Sequence, residues 1–141
     1  MVAVAGKVEE MRSFLLNEFA PMIQQLKIRP QSISDKGASF EVPDNKFIMR
    51  SGDIVCGQAV ASIADTVGVL TLIGHNPQPR MLTTIDMTTH FMRPLSKAGL
   101  RVDTRILSNG RRLASVFVEV RQKGSEKLAA SSTCAYAYLD I

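Results

Sequence analysis

The sequence predicts an α+β fold in which a curved antiparallel sheet wraps around one long central helix. Three observations support this prediction. Apolar residues near the start of the chain recur at the spacing of an amphipathic helix, and a long apolar run in the middle has the length of a second helix. After that run the pattern changes to alternation with a period of two. Strands that are grouped apart from the helices are typical of α+β proteins.

A first helix is expected over residues 7–19. Its apolar positions recur at intervals of three and four, at Val8, Met11, Leu15 and Phe19. Pro21 follows the expected end of this helix, as a helix stop often does. Residues 28–42 then divide into two extended pieces around Asp35-Lys36-Gly37, a sequence typical of a turn because Gly tolerates positive φ.

The central helix is expected over about residues 57–73, beginning near Cys56 or Gly57 and ending at Gly74. The apolar run has nearly the length of a membrane span. An Asp at the middle of a span, however, costs about 3 kcal/mol to insert, and Asp65 occupies that place. We therefore expect a helix buried in a protein core and no association with a membrane.

Four strands are expected after the central helix, joined as an antiparallel meander. Their sequences are TTIDMTTHFM, LRVDTRIL, LASVFVEVRQ and KLAASSTCAYAYL. Turn signals separate the later strands, at Ser108-Asn109-Gly110 and at Lys123-Gly124-Ser125. In the first strand the alternation places Ile85, Met87 and Phe91 toward the core and the polar residues on the opposite face.

The composition is that of a single globular domain spanning residues 1–141. Hydrophobic residues make up 45% of the chain and charged residues 21%, which excludes a disordered or low-complexity protein. The net charge is +4, and since no dense run of Lys and Arg accompanies it, the sequence does not predict nucleic-acid binding. The two Cys show neither metal-ligand nor disulfide spacing, so we expect no metal site and a reducing compartment, the cytoplasm.

An acid within the apolar helix is the most informative feature of the sequence. Seven residues of helix turn through about 700°, so Gln58 and Asp65 share one face. Gly57, at the helix start, would leave backbone N–H groups open to a ligand, and such groups stabilise a developing oxyanion. This pattern suits hydrolysis of a carbonyl compound. It also fits a structural Asp65 held by hydrogen bonds and a Gly57 that serves helix packing.

Three segments resemble the hotdog-fold thioesterases, in particular their PaaI-like branch, which hydrolyses acyl-CoA thioesters. The segment CGQAVASIADTVG is similar to that family's motif of His-Gly-Gly followed, after six residues, by an acid. TTIDMTTHFMRPL resembles the family's strand ending in Phe-x-Arg-Pro, and the sequence from Asn109 to Leu139 resembles its closing strands. The resemblance covers about residues 30–141. It implies a hotdog fold, an acyl-CoA substrate, and no cofactor beyond the CoA of the substrate itself.

The resemblance also implies roles for individual residues. The family's acid falls on Asp65, as a general base toward water or as a nucleophile, and its oxyanion-hole glycine falls on Gly57. The Ser or Thr that helps the acid, often from the neighbouring subunit, falls on Thr84 or else on Thr83. The family's Arg-Pro begins at Arg93. Family members pair into dimers and commonly double into tetramers, so a homo-oligomer is expected.

Several arginines suit the phosphates of CoA: Arg93, Arg111 and Arg112. The chain departs from the family at three positions, with Cys56 for the motif's His, Gln58 for its second Gly, and Arg50 where many relatives have Asn. Gln58 could donate a hydrogen bond to the thioester oxygen, and Arg50 could lie near the acid. The missing His argues against a hotdog dehydratase or hydratase. A non-catalytic module that binds or senses acyl-CoA is the other alternative.

Overall fold

A six-stranded antiparallel sheet packs against one long helix in a computed structural model, which describes residues 4–140. The helices are α1 (Val4–Glu18), α2 (Pro21–Gln24) and α3 (Gly57–His75). The strands are β1 (Arg29–Ile33), β2 (Gly37–Val42), β3 (Met49–Arg50), β4 (Ile54–Val55), β5 (Leu82–Phe91), β6 (Leu100–Asn109), β7 (Leu113–Gln122) and β8 (Leu128–Tyr138). β3 and β4 form a separate two-stranded ladder before α3. The predicted α+β class is confirmed.

The strand order of the sheet differs from the expected meander. The order is β1-β2-β6-β7-β8-β5, and each neighbouring pair is antiparallel. β6, β7 and β8 form a meander, but β5 pairs with β8 and not with β6. The prediction of a four-strand meander is wrong. Residues 92–99, which follow β5, are longer than a hairpin loop, and the first of them are hydrogen-bonded to β8. The N–H groups of Met92 and Arg93 donate to the carbonyl oxygen of Ala129. β5 is thereby left at an edge of the sheet.

α3 occupies the centre of the fold and contacts α1, β2, β5, β6, β7 and β8. It begins at Gly57 and ends at His75, against an expected 57–73. Apart from its terminal residues, the positions of α3 that are not buried form one stripe at helical spacing: Gln58, Ala61, Ser62, Asp65 and Val69. The sheet therefore covers most sides of α3 but not all of them, and the uncovered stripe contains the acid.

The N-terminal region follows the expected pattern except at its proline. The buried residues of α1 include Val8, Met11 and Leu15, as the spacing predicts. Pro21 does not merely follow a helix; it begins α2. A proline is tolerated in the first helical turn because its missing N–H would have no partner there.

α3 is long and apolar enough, by length and composition alone, to cross a membrane. In the described fold, 67% of its most apolar window is buried by the rest of the chain. A helix that is apolar on most sides needs such a cover, and the sheet and α1 provide it.

Candidate functional site

Two cavities lie along α3, one at its middle and one at its start. The first, which we call the Asp65 cavity, has a volume of about 570 Å³. Its polar and charged lining residues are Glu18, Asp65, Arg80, Thr83 and Thr84, and its apolar ones are Phe14, Phe19, Val69, Pro79, Met81 and Leu82. The second, the Gly57 cavity, has a volume of about 360 Å³, and its lining includes Gly57, Arg50, Phe91 and Arg93. Both volumes are in the range of small-molecule sites.

The carboxylate of Asp65 accepts a hydrogen bond from Thr84. Thr84 Oγ1 lies 2.8 Å from Asp65 Oδ1, and both residues are half-buried. A β-bulge produces this contact, since the register of β5 against β8 shifts between Thr84 and Asp86. The extra residue turns Thr84 toward α3 and leaves Ile85 52% exposed. The expectation that Ile85 faces the core is therefore wrong, and so is that for Phe91, which is 58% exposed.

The backbone at Asp65 is also held from the sheet. Tyr136 of β8 is fully buried, and its hydroxyl donates to the backbone oxygen of Asp65 at 3.0 Å. Gly68 makes room for this hydroxyl, because an added Cβ there would come within 2.1 Å of Tyr136 Oη. Burial raises the pKa of Tyr136 above its usual range, so the hydroxyl keeps its proton. α3 is thus fixed to the sheet at the residue that carries the acid.

The Gly57 cavity contains the start of α3. Cys56 is the N-cap residue, and among the described residues its side chain makes no capping hydrogen bond. The first N–H groups of a helix have no partner within it, so those of Gly57 and Gln58 are available to a ligand. A Cβ added at Gly57 would meet the ring of Phe91 at an ordinary contact distance of 3.5 Å. Close packing explains the glycine at Gly68, therefore, but not the glycine at Gly57.

Gly57 and Asp65 of one chain lie too far apart to act on one carbonyl group. They are separated by about 12 Å along the axis of α3, and they line different cavities. A reacting carbonyl must lie about 3 Å from both the oxyanion donor and the attacking group. The two residues of one chain therefore cannot face the same carbonyl group, because the rise of the helix separates them.

Of the other residues predicted along α3 and β5, Thr84 and Thr83 lie at the Asp65 cavity and Gln58 does not. Thr84 reaches Asp65 of its own chain, whereas the resemblance implies a Thr from the neighbouring subunit. Thr83 is exposed and lines the same cavity. Gln58 shares the uncovered stripe of α3 with Asp65, as expected, but it is exposed and lies outside the lining of both cavities.

The four predicted arginines fall into two groups. Arg50 and Arg93 both line the Gly57 cavity, so Arg50 lies with the glycine and not with the acid. Arg111 and Arg112 are exposed in the turn between β6 and β7. The structure thus places two of the four arginines beside a predicted site residue.

Two aromatic residues of the Asp65 cavity were not predicted. Phe14 and Phe19 of the N-terminal region line it, although the sequence placed Phe19 only on the apolar face of the first helix. The sequence does single out Phe14. It is turned by about 100° from Leu15, so it is a large apolar residue that lies off the buried stripe of α1. The support from Tyr136 had no signal in the sequence, because it depends on how β8 packs against α3.

Arg80 lines the Asp65 cavity with its charge already paired. Its Nε and Nη2 donate to the two carboxylate oxygens of Asp140, at 2.9 and 2.8 Å. The hydrogen bonds hold the pKa of Asp140 below its ordinary value. The guanidinium also lies 3.6 Å from the centroid of the Tyr138 ring. Across residues 4–140, no group of three or more His, Cys, Asp or Glu is placed to hold a metal ion.

Known proteins are similar to this chain in both sequence and fold. The profile of the thioesterase superfamily matches residues 52–129, which include Gly57, Asp65 and Thr84. A Thermoplasma volcanium protein named as an esterase is 32% identical over 123 residues, covering 87% of this chain and 89% of that protein.

Two solved structures show the same architecture. One from Silicibacter, named as a thioesterase, has a TM-score of 0.84 at 21% identity and covers 96% of this chain and 94% of its own. One from Ralstonia eutropha, named as a thioesterase related to phenylacetic acid degradation, has a TM-score of 0.77 at 19% identity and covers 91% and 98%. These likenesses confirm the hotdog fold. Together with the profile match, they lead to the conclusion that the chain belongs to the thioesterase superfamily.

Proposed function

We propose that the protein is an acyl-CoA thioesterase of the PaaI-like type, with Asp65 as its catalytic carboxylate. The hydrogen bond from Thr84 to the half-buried Asp65, in a cavity where six of the eleven lining residues are apolar, carries this proposal. A carboxylate is costly to keep in such surroundings unless it is paired or used. Thr84 orients one oxygen of Asp65 and leaves the other for water or substrate.

Hydrolysis needs two events at the thioester carbon. Water forms a new C–O bond to this carbon while Asp65 accepts a proton from the water, and the carbonyl electron pair moves to oxygen. When this oxyanion collapses, the C–S bond breaks and CoA leaves as a thiolate, which its thiol pKa of about 8.5 permits without a general acid. Asp65 acting as a nucleophile gives the same free acid and CoA through an acyl anhydride that water hydrolyses.

A second copy of the chain would supply the oxyanion donor that Asp65 lacks in its own chain. β5 is an edge strand, and its two ends line different cavities, Leu82 the Asp65 cavity and Phe91 the Gly57 cavity. Antiparallel pairing of two β5 strands about a two-fold axis sets the Leu82 end of one beside the Phe91 end of the other. The Gly57 of the second copy would then approach the Asp65 of the first, and the dimer is the active unit.

Exposed apolar side chains at the same edge support the dimer. Large side chains in and beside β5 are about half exposed or more: Met81, Ile85, Phe91 and Met92. An unpaired edge strand with apolar neighbours is a surface that proteins usually cover. Two such dimers would form the tetramer that the resemblance implies.

The CoA part of the substrate would lie on the side of the Gly57 cavity. Arg50 and Arg93 bring two cations to that cavity, and guanidinium groups suit phosphates. The exposed Arg111 and Arg112 would add contacts at the surface. Both cysteines are free thiols, which suits a reducing compartment, so a cytoplasmic location is part of the proposal.

Release of CoA from a panel of acyl-CoA thioesters tests the proposal. We expect turnover by the wild type and a loss of at least about a hundredfold in kcat for Asp65→Asn. Asp35→Asn makes the same chemical change at an exposed turn and should keep the wild-type kcat. Thermal unfolding checks that both variants are folded. Full turnover by Asp65→Asn would contradict the proposal, and acyl-CoA binding by the wild type without turnover would instead identify the sensing module.

A further inference from the structure

The far end of the Asp65 cavity is built by the N-terminal region. Phe14 and Phe19 are half-buried there, with ring centroids 6.0 Å apart and ring planes inclined by 77°. Val69, Met81 and Leu82 complete an apolar surface around these rings. Resting on the function proposed above, we infer that this surface binds the acyl group, and that Phe14 and Phe19 select uncharged apolar acyl groups of more than a few carbons.

The direction of the cavity supports this assignment. Val69 follows Asp65 by one helical turn on the uncovered stripe of α3, so it lies about 6 Å further from the start of the helix. A thioester carbonyl held at Asp65 therefore has apolar walls only on the side that leads toward α1. With the acyl group on this apolar side, the sulfur and CoA would point the opposite way, away from Phe14 and Phe19.

The wall that α1 provides is fixed and not a loose flap. Arg12 Nη2 donates to the carbonyl oxygen of Pro30 at 3.0 Å, and Lys7 Nζ donates to that of Asn76 at 3.3 Å. Met11, on the next turn, is fully buried. Because a rigid wall cannot move away from a wrong ligand, it discriminates by size and polarity.

Charges around the cavity exclude acyl groups that end in a carboxylate. The acidic Glu18 lies at the rim and would repel such a group. Arg80 is the cation that could attract it, but its charge is already paired with Asp140 through two hydrogen bonds. The cavity therefore has apolar surface for the acyl chain and no free cation among its lining residues to pair with a second carboxylate.

Kinetics with four substrates test the inference: acetyl-CoA, octanoyl-CoA, benzoyl-CoA and succinyl-CoA. For the wild type we expect kcat/KM to be at least about tenfold higher for octanoyl-CoA or benzoyl-CoA than for the other two. Phe14→Ala and Phe19→Ala should each reduce that preference by about tenfold, with acetyl-CoA changed less than about twofold. Leu16→Ala, at a site on α1 that is 72% exposed, is the matched control and should leave the preference unchanged.

If the alanine variants do not fold, Phe14→Leu and Phe19→Leu replace them, because leucine keeps most of the apolar volume. We expect them to lower kcat/KM for benzoyl-CoA more than for octanoyl-CoA, because leucine cannot form the aromatic pair that a phenylalanine ring could form with an aromatic acyl group. An unchanged substrate preference in all four variants, or a wild type that prefers succinyl-CoA, would overturn the acyl site while leaving the role of Asp65 intact. Absence of turnover by the wild type would instead strike the proposed function.

Discussion

The two cavities share one helix but offer opposite chemistry. The Asp65 cavity holds an acid whose side chain is held by Thr84 and whose backbone is held by Tyr136. The Gly57 cavity holds the uncapped start of α3 together with Arg50 and Arg93. One cavity therefore has a carboxylate without the open N–H groups of a helix start, and the other has those N–H groups without a carboxylate.

The carboxylate and the open N–H groups of one chain therefore do not form a single site under the proposed function. A side chain cannot close a gap of about 12 Å along a helix that is fixed at both positions. In the dimer proposed above, the two parts would form one site where opposite ends of two β5 strands meet. The uncovered stripe of α3, which a single chain leaves open, is consistent with that requirement.

Mixing two inactive variants gives the largest expected effect. Asp65→Asn removes the acid from one cavity, and Gly57→Pro removes the N–H from the other. Proline is tolerated at the first helical position, and Cys56 already has the extended backbone (φ −67°, ψ 147°) that a following proline requires. Each variant alone should lose at least about a hundredfold in kcat. Co-expressed, they should recover about a quarter of wild-type activity, since half of the dimers are mixed and each has one intact site.

Size-exclusion chromatography and thermal unfolding show whether both variants fold and pair before the mixing experiment is interpreted. A mixture that stays as inactive as the separate variants would place the whole site in one chain.

Two glycines of α3, Gly68 and Gly57, should differ in what they contribute to stability. Gly68→Ala should lower the free energy of unfolding by about 2 kcal/mol, because its Cβ would meet the Tyr136 hydroxyl at 2.1 Å. Gly57→Ala has room beside Phe91 and should be neutral or slightly stabilising, since Ala favours helix over Gly by about 1 kcal/mol. Urea unfolding of the two variants measures both values. Equal losses would mean that Gly57 also serves packing.

Two adjacent threonines distinguish the orienting hydroxyl from its neighbour. Thr84→Val removes the hydrogen bond to Asp65 and should lower kcat by about tenfold, as expected for one bond to a charged group. Thr83→Val, at an exposed position of the same cavity, should change kcat less than about twofold. Steady-state kinetics of both variants test this. The reverse ranking would transfer the role to Thr83, the other candidate from the sequence.

The smallest expected effect concerns Tyr136 and alkaline pH. Its pKa is raised in the folded state, so its contribution to stability is complete below an unfolded pKa of about 10 and is lost as pH rises further. Above about pH 10 the free energy of unfolding should fall more steeply with pH in the wild type than in Tyr136→Phe. Urea unfolding from pH 8 to about 11 measures the two slopes. Identical slopes would show that Tyr136 titrates freely, and hence that it does not hold Asp65.

Local pattern predicted the elements of this fold better than their arrangement. The spacing of Val8, Met11 and Leu15 identified the buried face of α1, and the alternation in β6 and β7 identified the faces of those strands. The partner of β5 could not be predicted in the same way. Pairing with β8 is set by where residues 92–99 are anchored, which is a contact between distant parts of the chain.

The candidate site shows the same limit. The acid and the glycine stand out because Asp65 interrupts an apolar helix and Gly57 begins it. Their separation into two cavities follows from the rise of the helix and from what the sheet covers. The inward turn of Thr84 depends on a bulge, whose extra residue leaves Ile85 outside while Met87 still packs against the core, as alternation predicts.

The position of β5 also has a consequence for the order of folding. Thr84 pairs with Tyr136, so the strand that carries the orienting hydroxyl is made early and finds its sheet partner only when β8 has been synthesised. Contacts between residues so distant in sequence form late and slowly. Loss or fraying of β8 would release β5, and the Thr84 hydroxyl at Asp65 would be lost together with the exposed β5 edge. If the protein forms the proposed dimer, a chain damaged in this way would not pair, and so it would not impair an intact chain.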